Sequence, residues 1–358
     1  MTLPIPRRRE VPPREPVAAL PAIERKADLV FEGGGVKGIA LVGTALALAD
    51  NGYSFARIAG SSAGAIVGAI IAAMEKSGEP LSRANDVMRT LDYTRMLDRR
   101  GASKAFRWWP TAANALGILF NKGMHPGGYL QDWTRGVLAD LGVRNFGDLR
   151  FHDPGSAFTA NKSYRLVVTA SDLSRQRLMY LPWDLAAYGL HADKFSVARA
   201  VRASSAIPFM FEPVRLRSKF GTSTLLDGSI LRSYPIEIFD RHDGKPSRWP
   251  TIGIRLSSPA GDRTPAKPVT GPVSLISSLI YTTVDSTQIR HVSDPLDVER
   301  SIFAKPRGVR WTDFDLTPRQ RESLYEAGYT AGLKWIKKHP GGAPSPQPAT
   351  NTGQVDLA

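Results

Sequence analysis

Short apolar runs alternate with longer stretches of helical spacing along most of this chain. The first run, Asp28 to Glu32, ends at a cluster of glycines and leads into Ile39 to Asp50, which has helical character. The second, Phe55 to Ala59, meets Gly60 and leads into the small-residue stretch Ala65 to Met74. An apolar run closed by turn residues and followed by a helical period predicts a strand, a turn and a helix, here twice in succession. Leu81 to Leu97 then reads as helix, and Thr111 to Phe120 keeps an apolar period. Asn121 to Gly128 is a turn-rich connection before an amphipathic helix over Tyr129 to Leu141. Tyr164 to Ala170 and Arg177 to Leu181 alternate as strands do, Phe195 to Ala203 is helical up to the approach to Pro208, and Ser223 to Asp227 is a strand. A core strand over Thr251 to Leu256, a long helix over Val273 to Ile289, a short strand over Ser301 to Ala304 and a closing helix over Arg319 to Lys338 complete the series. Strands alternating with helices predict an α/β fold, a three-layer α/β/α sandwich around a mainly parallel sheet.

The two ends depart from this pattern. Residues 1–26 are rich in Pro and Arg and are expected to form a flexible arm; residues 339–358, with Pro-Gly-Gly-Ala-Pro-Ser-Pro-Gln-Pro, are expected to form a disordered tail. The folded body is expected over residues 27–338, with about 98–141 as a helical insertion capping the site. A chain of 358 residues with 42% hydrophobic and 22% charged residues has ample material for one large α/β domain.

No apolar run approaches the length of a transmembrane helix, and Met1 to Arg9 carries Pro4, Pro6 and Arg7-Arg8-Arg9 rather than a secretory leader. The absence of cysteine excludes disulfides and thiolate metal sites and is compatible with a reducing cytoplasm, with export by a route independent of such a leader still open. A net charge of +14 implies attraction to a polyanion, an anionic membrane surface or a nucleic acid. No zinc-finger spacing, RNA-recognition signature or basic helix with heptads is present, which argues against nucleic acid. Phe106, Arg107, Trp108 and Trp109 admit two readings: aromatics of a surface loop folded back on the core, or a membrane contact with rings at the bilayer interface and cations at the head groups.

Chemistry concentrates in the two glycine turns. Gly60-Ser61-Ser62-Ala63-Gly64 matches the nucleophile-elbow pattern Gly-x-Ser-x-Gly, in which flanking glycines permit the sharp turn that lifts a serine hydroxyl clear of the sheet. Gly33, Gly35 and Gly38 have the spacing of a dinucleotide loop, but the next strand ends in Gly60-Ser61-Ser62 rather than in the acidic residue that such a loop requires for a ribose hydroxyl. The alternative is that backbone N–H groups of this turn, at a helix N-terminus, face a developing oxyanion. Ser62 then attacks a carbonyl and the Gly33 to Gly38 turn stabilises the charge. No metal-binding constellation is visible, and no cofactor is called for.

These residues resemble the patatin-like phospholipase family, which combines a Gly-Gly-Gly-x-Lys/Arg-Gly oxyanion loop, a Gly-x-Ser-x-Gly elbow and a later Asp-Gly-Gly/Ala. The first appears as Gly33, Gly34, Gly35, Lys37 and Gly38, the second as Gly60, Ser62 and Gly64, and the third as Asp227-Gly228-Ser229, with Ser229 where the family has Gly or Ala. Ala203 to Pro213 also resembles the family's block between nucleophile and aspartate, so the likeness runs from Asp28 to Tyr234. It implies a patatin-like fold and a Ser62–Asp227 dyad that works without histidine. It further implies lipid acyl hydrolysis, of phospholipase A or lysophospholipase type, through an acyl-serine. A triad built from Ser62, Asp227 and His291 is the competing arrangement, although an elbow after only the second strand is early for that class.

The expected partners are a phospholipid or other lipid ester as substrate, an anionic membrane surface that the protein visits peripherally from the cytoplasm, and a protein or small-molecule activator. Two other functions stay open: a soluble carboxylesterase or acyltransferase using the same dyad, and a nucleotide-binding or lipid-binding module without turnover.

Overall fold

The computed structural model describes residues 25–97, 123–256, 268–269, 278, 282 and 294–343. In chain order the elements begin with β1 (Arg25–Phe31), a 3-10 turn (Gly35–Lys37), α1 (Gly38–Ala49), β2 (Tyr53–Gly60), α2 (Ala63–Ser77), α3 (Arg83–Arg89) and α4 (Tyr93–Met96). They continue with β3 (Gly123–His125), α5 (Gly128–Asp140), β4 (Leu166–Asp172), β5 (Arg177–Leu181), α6 (Val197–Ser204), β6 (Phe209–Phe211), β7 (Val214–Ser218), β8 (Gly221–Asp227) and α7 (Ser229–Arg232). The last are β9 (Thr251–Arg255), α8 (Pro295–Glu299), β10 (Ser301–Phe303) and α9 (Pro318–Lys338).

The main sheet is mixed. Its parallel half runs β10-β9-β1-β2-β4, and its antiparallel half adds β8 and β5 to β4 and β7 to β8. Along β4 the register decides where the chemistry falls. β2 pairs through Gly60 with Val168, β8 pairs through Asp227 with Ala170, and β5 pairs with the whole of Val168 to Asp172. A strand has two edges, so β5 holds one, and β2 and β8 share the other, meeting end to end.

Alternation along the strands divides the core between two faces. Leu29, Phe31, Ile58, Leu166 and Val168 join the larger apolar cluster with α1 and α2, while Val30, Ala59 and Val167 pack with Tyr234, Ile236 and Phe239 on the other side. On that second face Asp28 of β1 accepts from Arg57 Nε of β2 at 2.9 Å, and the guanidinium lies over the rings of Phe158 and Phe239. Helix α1 has eleven of its twelve residues buried, which suits its place between the sheet and α9. Its contact with α9 is close because both surfaces are bare: a Cβ on Gly43 would stand 2.2 Å from the carbonyl of Tyr325, and one on Gly328 1.9 Å from that of Ala40.

Several boundaries differ from the sequence expectation. β1 starts at Arg25, so residues 25 and 26 of the expected arm are strand, where extra ladder bonds to β2 hold them. The expected helix over Leu81 to Leu97 is two, because Asp92 takes an extended conformation and its carboxylate accepts from the N–H groups of Thr94 and Arg95, starting α4 afresh. The turn-rich 121–128 stretch contains β3, paired with β6. Helix α5 buries Leu130 and Leu138 in the main core. Residues 339–343 of the expected tail are ordered against α9: His339 Nδ1 lies 2.9 Å from the carbonyl of Trp335, and the two ring centroids are 4.4 Å apart with the planes tilted by 35°. The apolar-period stretch Thr111 to Phe120 and the aromatic stretch Phe106, Arg107, Trp108 and Trp109 lie outside the described residues, and of the expected helix over Val273 to Ile289 only Ser278 and Thr282 are described, both helical.

Candidate active site

The elbow is built by backbone crowding. At the end of β2 the chain must reverse into α2 in the space of Ser61 and Ser62, beneath the end of β1. A Cβ on Gly60 would stand 2.3 Å from the carbonyl of Gly64, and one on Gly64 would stand 2.6 Å from that of Phe31. Only bare Cα atoms fit. The strain is carried by Ser62, whose φ of 51° with ψ of −120° is rarely adopted by a residue with a side chain. Polar neighbours hold it there: its N–H donates to Ser204 Oγ at 2.9 Å, while its carbonyl accepts from the N–H of Ala65 at 2.9 Å and from Ser205 Oγ at 3.4 Å. Ser61 turns the other way, into Thr169 Oγ1 and the carbonyl of Arg232. Ser62 Oγ is thus left facing Asp227.

Asp227 arrives from the opposite direction. Because β8 is antiparallel to β4 and meets β2 end to end, its last residue stops beside the elbow. β8 thus carries Asp227 at its end without running with the parallel strands. Ser62 Oγ donates to Asp227 Oδ2 at 2.7 Å, and the N–H of Ser229 donates to Oδ1 at 2.8 Å. The main chain is fixed as well, with the N–H of Asp227 on the carbonyl of Ala206 and its own carbonyl accepting from Ser171 Oγ. Gly228 cannot carry a side chain, since a Cβ would stand 2.1 Å from Thr169 Oγ1. Asp227 is buried, and burial pushes its carboxyl up to about 6 against the opposing pull of hydrogen bonds from Ser62 and Ser229.

The first glycine turn lies against the elbow. A Cβ on Gly33 would stand 3.2 Å from Ser62 Cβ, and one on Gly38 3.1 Å from Ala63 Cβ. The N–H groups of Gly33, Val36 and Lys37 are occupied, by the carbonyls of Ser233, Trp311 and Gly34. Those of Gly34 and Gly35 have no partner among the described residues. The turn is anchored from beneath by Glu32, which is buried, faces Arg255 Nη2 at 3.4 Å and accepts from the N–H of Leu256 at 2.5 Å. It is anchored from above by Trp311, whose carbonyl sits where a Cβ on Gly35, at φ 57°, would fall. Lys37 lies near Asp313, whose carboxyl is held below the usual range by hydrogen bonds from Arg310 with a further contribution from the Lys37 charge.

An apolar cleft opens from Ser62 between Met88, Tyr93, Met96, Ile207 and Phe314. Sequence reading did not anticipate this lining, nor the hydroxyls of Ser204 and Ser205 on the elbow, although both serines fall in the Ala203 to Pro213 block. None of the described histidines bonds to Ser62 or Asp227; His291 lies outside the described residues. Among the described residues no group of His, Asp or Glu could hold a metal ion. Such an arrangement can move a proton from a hydroxyl to a carboxylate beside two unengaged N–H groups.

The model of the family described as patatin-like phospholipase matches residues 29–240. The chain is 36% identical over 304 residues to the uncharacterized protein YqhO of Bacillus subtilis, covering 84% of this chain and 94% of that protein. Among solved structures it is similar to VipD from Legionella pneumophila, with a TM-score of 0.48 at 18% identity over 90% of this chain and 68% of that one. It is also similar to a chain of the heterodimeric complex ExoU–SpcU from the type III secretion system of Pseudomonas aeruginosa. There the TM-score is 0.45 at 18% identity, over 90% of this chain and 54% of that one.

Proposed function

The chain belongs to the patatin-like phospholipase family, and from that premise we propose that it cleaves carboxylic esters of membrane lipids, as a phospholipase A or lysophospholipase. The observation that carries this reading is the 2.7 Å hydrogen bond from Ser62 Oγ to a buried carboxylate, beside a turn with two unengaged N–H groups.

A serine hydroxyl is a weak nucleophile near neutral pH until a base takes its proton. Asp227 accepts that proton as Ser62 Oγ bonds to the ester carbonyl carbon, and the oxygen that becomes negative is received by the N–H groups of Gly34 and Gly35. Collapse breaks the bond to the leaving alcohol, which takes the proton back from Asp227. Water then attacks the acyl-serine, gives its proton to Asp227 and releases the fatty acid, and Ser62 regains its hydrogen. The acyl chain goes to the largely apolar cleft beside Ser62, whose free volume of about 20 Å³ requires the walls to part as the chain enters. No metal or cofactor enters this cycle.

Access is peripheral in this proposal: the protein works from the cytoplasm on the surface of an anionic membrane, and no helix among the described residues is long and apolar enough to cross one. The decisive measurement is mass spectrometry of the products formed from mixed phospholipid vesicles, with wild type and Ser62→Ala in parallel. Lysophospholipid and free fatty acid are expected from wild type, with a loss of about 10,000-fold or more in Ser62→Ala, and a fluorophosphonate should label Ser62. Transfer of the acyl group to an added alcohol in preference to water would make the protein an acyltransferase. Equal activity in the variant would remove the dyad.

A further inference from the structure

β4 is shared by two hairpins whose turns lie at the same end. The β4–β5 turn carries Leu173, Arg175 and Arg177, and the β7–β8 turn carries Arg217, Lys219 and Phe220. Leu173 is 50% exposed and Phe220 61%. Neither loop contains an acidic residue from Leu173 to Leu178 or from Val214 to Thr224. The acidic groups that approach are Asp172, which is buried and bonded to Tyr188, and Asp184, which faces Arg177 at 3.7 Å.

Edge protection accounts for part of this. β7 lies at the sheet border, and cations along a border strand oppose pairing with another chain. It does not account for Phe220. The turn is closed by Ser218 Oγ, which accepts from the N–H of Phe220 and donates to the carbonyl of Gly221, and the positive φ falls on Gly221 at 108°. A polar residue would satisfy that geometry equally well, and Lys219 Nζ, 5.0 Å from the ring centroid, leaves most of the ring exposed, so the aromatic at the tip works against solubility with no conformational return.

We propose that these two hairpin tips form a docking surface for an anionic lipid bilayer, with Phe220 and Leu173 entering the interface and the surrounding cations meeting the head groups. A nucleic acid would use the same cations, but it offers no reason to expose an apolar side chain at each of the two tips. Position supports the choice. β2 and β4 are parallel, so the end of β4 that bears these turns is also the edge bearing the Ser62 elbow. Phe220 is seven residues before Asp227, so it lies about 23 Å from the dyad along β8 at the usual strand rise. A membrane resting on the tips thus faces the catalytic edge. This inference rests on the lipid-hydrolase reading, whose substrate it delivers.

The test separates binding from turnover. Co-sedimentation of the full chain carrying Ser62→Ala is measured with phosphatidylcholine vesicles containing phosphatidylglycerol, and with phosphatidylcholine alone. Adding Arg217→Glu and Lys219→Glu together should lower binding to the anionic vesicles about tenfold or more, and Phe220→Ser alone should lower it several-fold. With Ser62 intact, both variants should hydrolyse a small soluble ester at the wild-type rate, which also shows that they fold. Unchanged binding in both variants overturns the proposal, as does equal binding to the two vesicle types or no binding at all. A charge reversal that abolishes binding to duplex DNA and leaves vesicle binding intact overturns it in favour of nucleic acid. Failure of the soluble-ester reaction in wild type would count against the lipid-hydrolase reading and leave the binding result standing.

Discussion

The two members of the proposed dyad, Ser62 and Asp227, lie 165 positions apart in sequence and are held by different means. On the nucleophile side, contiguous turns from β1 and β2 interlock through bare backbone, so Gly60 and Gly64 act by what they lack. On the carboxylate side, an antiparallel strand is pinned by hydrogen bonds from Ser171 and Ser229 and by its own N–H on Ala206. Steric exclusion leaves one conformation or none. Polar fixation leaves groups that can be altered singly, and it tunes acidity as well as position.

The largest effects should separate these two modes. Asp227→Asn keeps the shape and removes the base, so activity should fall about 10,000-fold or more, and stability should move the opposite way. The carboxyl is raised in the fold to about 6 from the 3.8 of an ordinary Asp, so the folded state holds its proton more tightly than the unfolded state. That stabilises wild type fully below about pH 4, and the contribution is lost as pH rises through about 6. The gain in melting temperature of Asp227→Asn over wild type should therefore grow between those values and level off above. Thermal melts across that range check the sign. Gly64→Ala, in contrast, should lose activity and stability together, because its Cβ would press on the carbonyls of Phe31 and Glu32 at 2.6 and 2.8 Å. A folded, active Gly64→Ala protein would break the comparison.

A smaller loss is expected where the steric side meets the oxyanion. Gly35→Ala forces a side chain into φ 57° and against the Trp311 carbonyl, which displaces one of the two unengaged N–H groups. Loss of one such donor lowers kcat about 100- to 1,000-fold, and steady-state kinetics on a soluble ester should show KM nearly unchanged. A fall confined to KM would place the turn in substrate binding alone.

How much of this was legible in the sequence follows the same division. Short-range features were plain: both strand-turn-helix units from Asp28 to Met74, and hence the nucleophile and the glycine turn, because backbone crowding writes itself as glycine at fixed spacing. Asp227 was placed by its motif, whereas the direction of β8 was not, since an alternating run reads alike in parallel and antiparallel pairings. The supports from Ser204, Ser205 and the Trp311 carbonyl were invisible, for a hydroxyl or carbonyl recruited across the fold leaves no local periodicity. Helix α5 was found, whereas the core surface its buried face meets was not, because an amphipathic pattern states that one face is buried without saying against what.

The smallest effect probes the polar side at Ser229, where the family pattern has Gly or Ala. Its Oγ is buried, meets no hydrogen-bond partner by geometry, and still lies close enough to the Asp227 carboxylate to pull its pKa down. A hydroxyl there stabilises the ionised carboxylate, and so opposes the effect of burial on Asp227. Ser229→Ala removes that support, which raises the Asp227 pKa further and moves the acid limb of the rate profile to higher pH. The alanine Cβ is no larger than the one it replaces, so Gly33 and the turn above it should stay in place. At alkaline pH the variant should then match wild type, and near pH 6 it should be several-fold slower. A profile that shifts to lower pH, or a uniform loss at every pH, would show that Ser229 acts on the shape of the site and not on the acidity of its base.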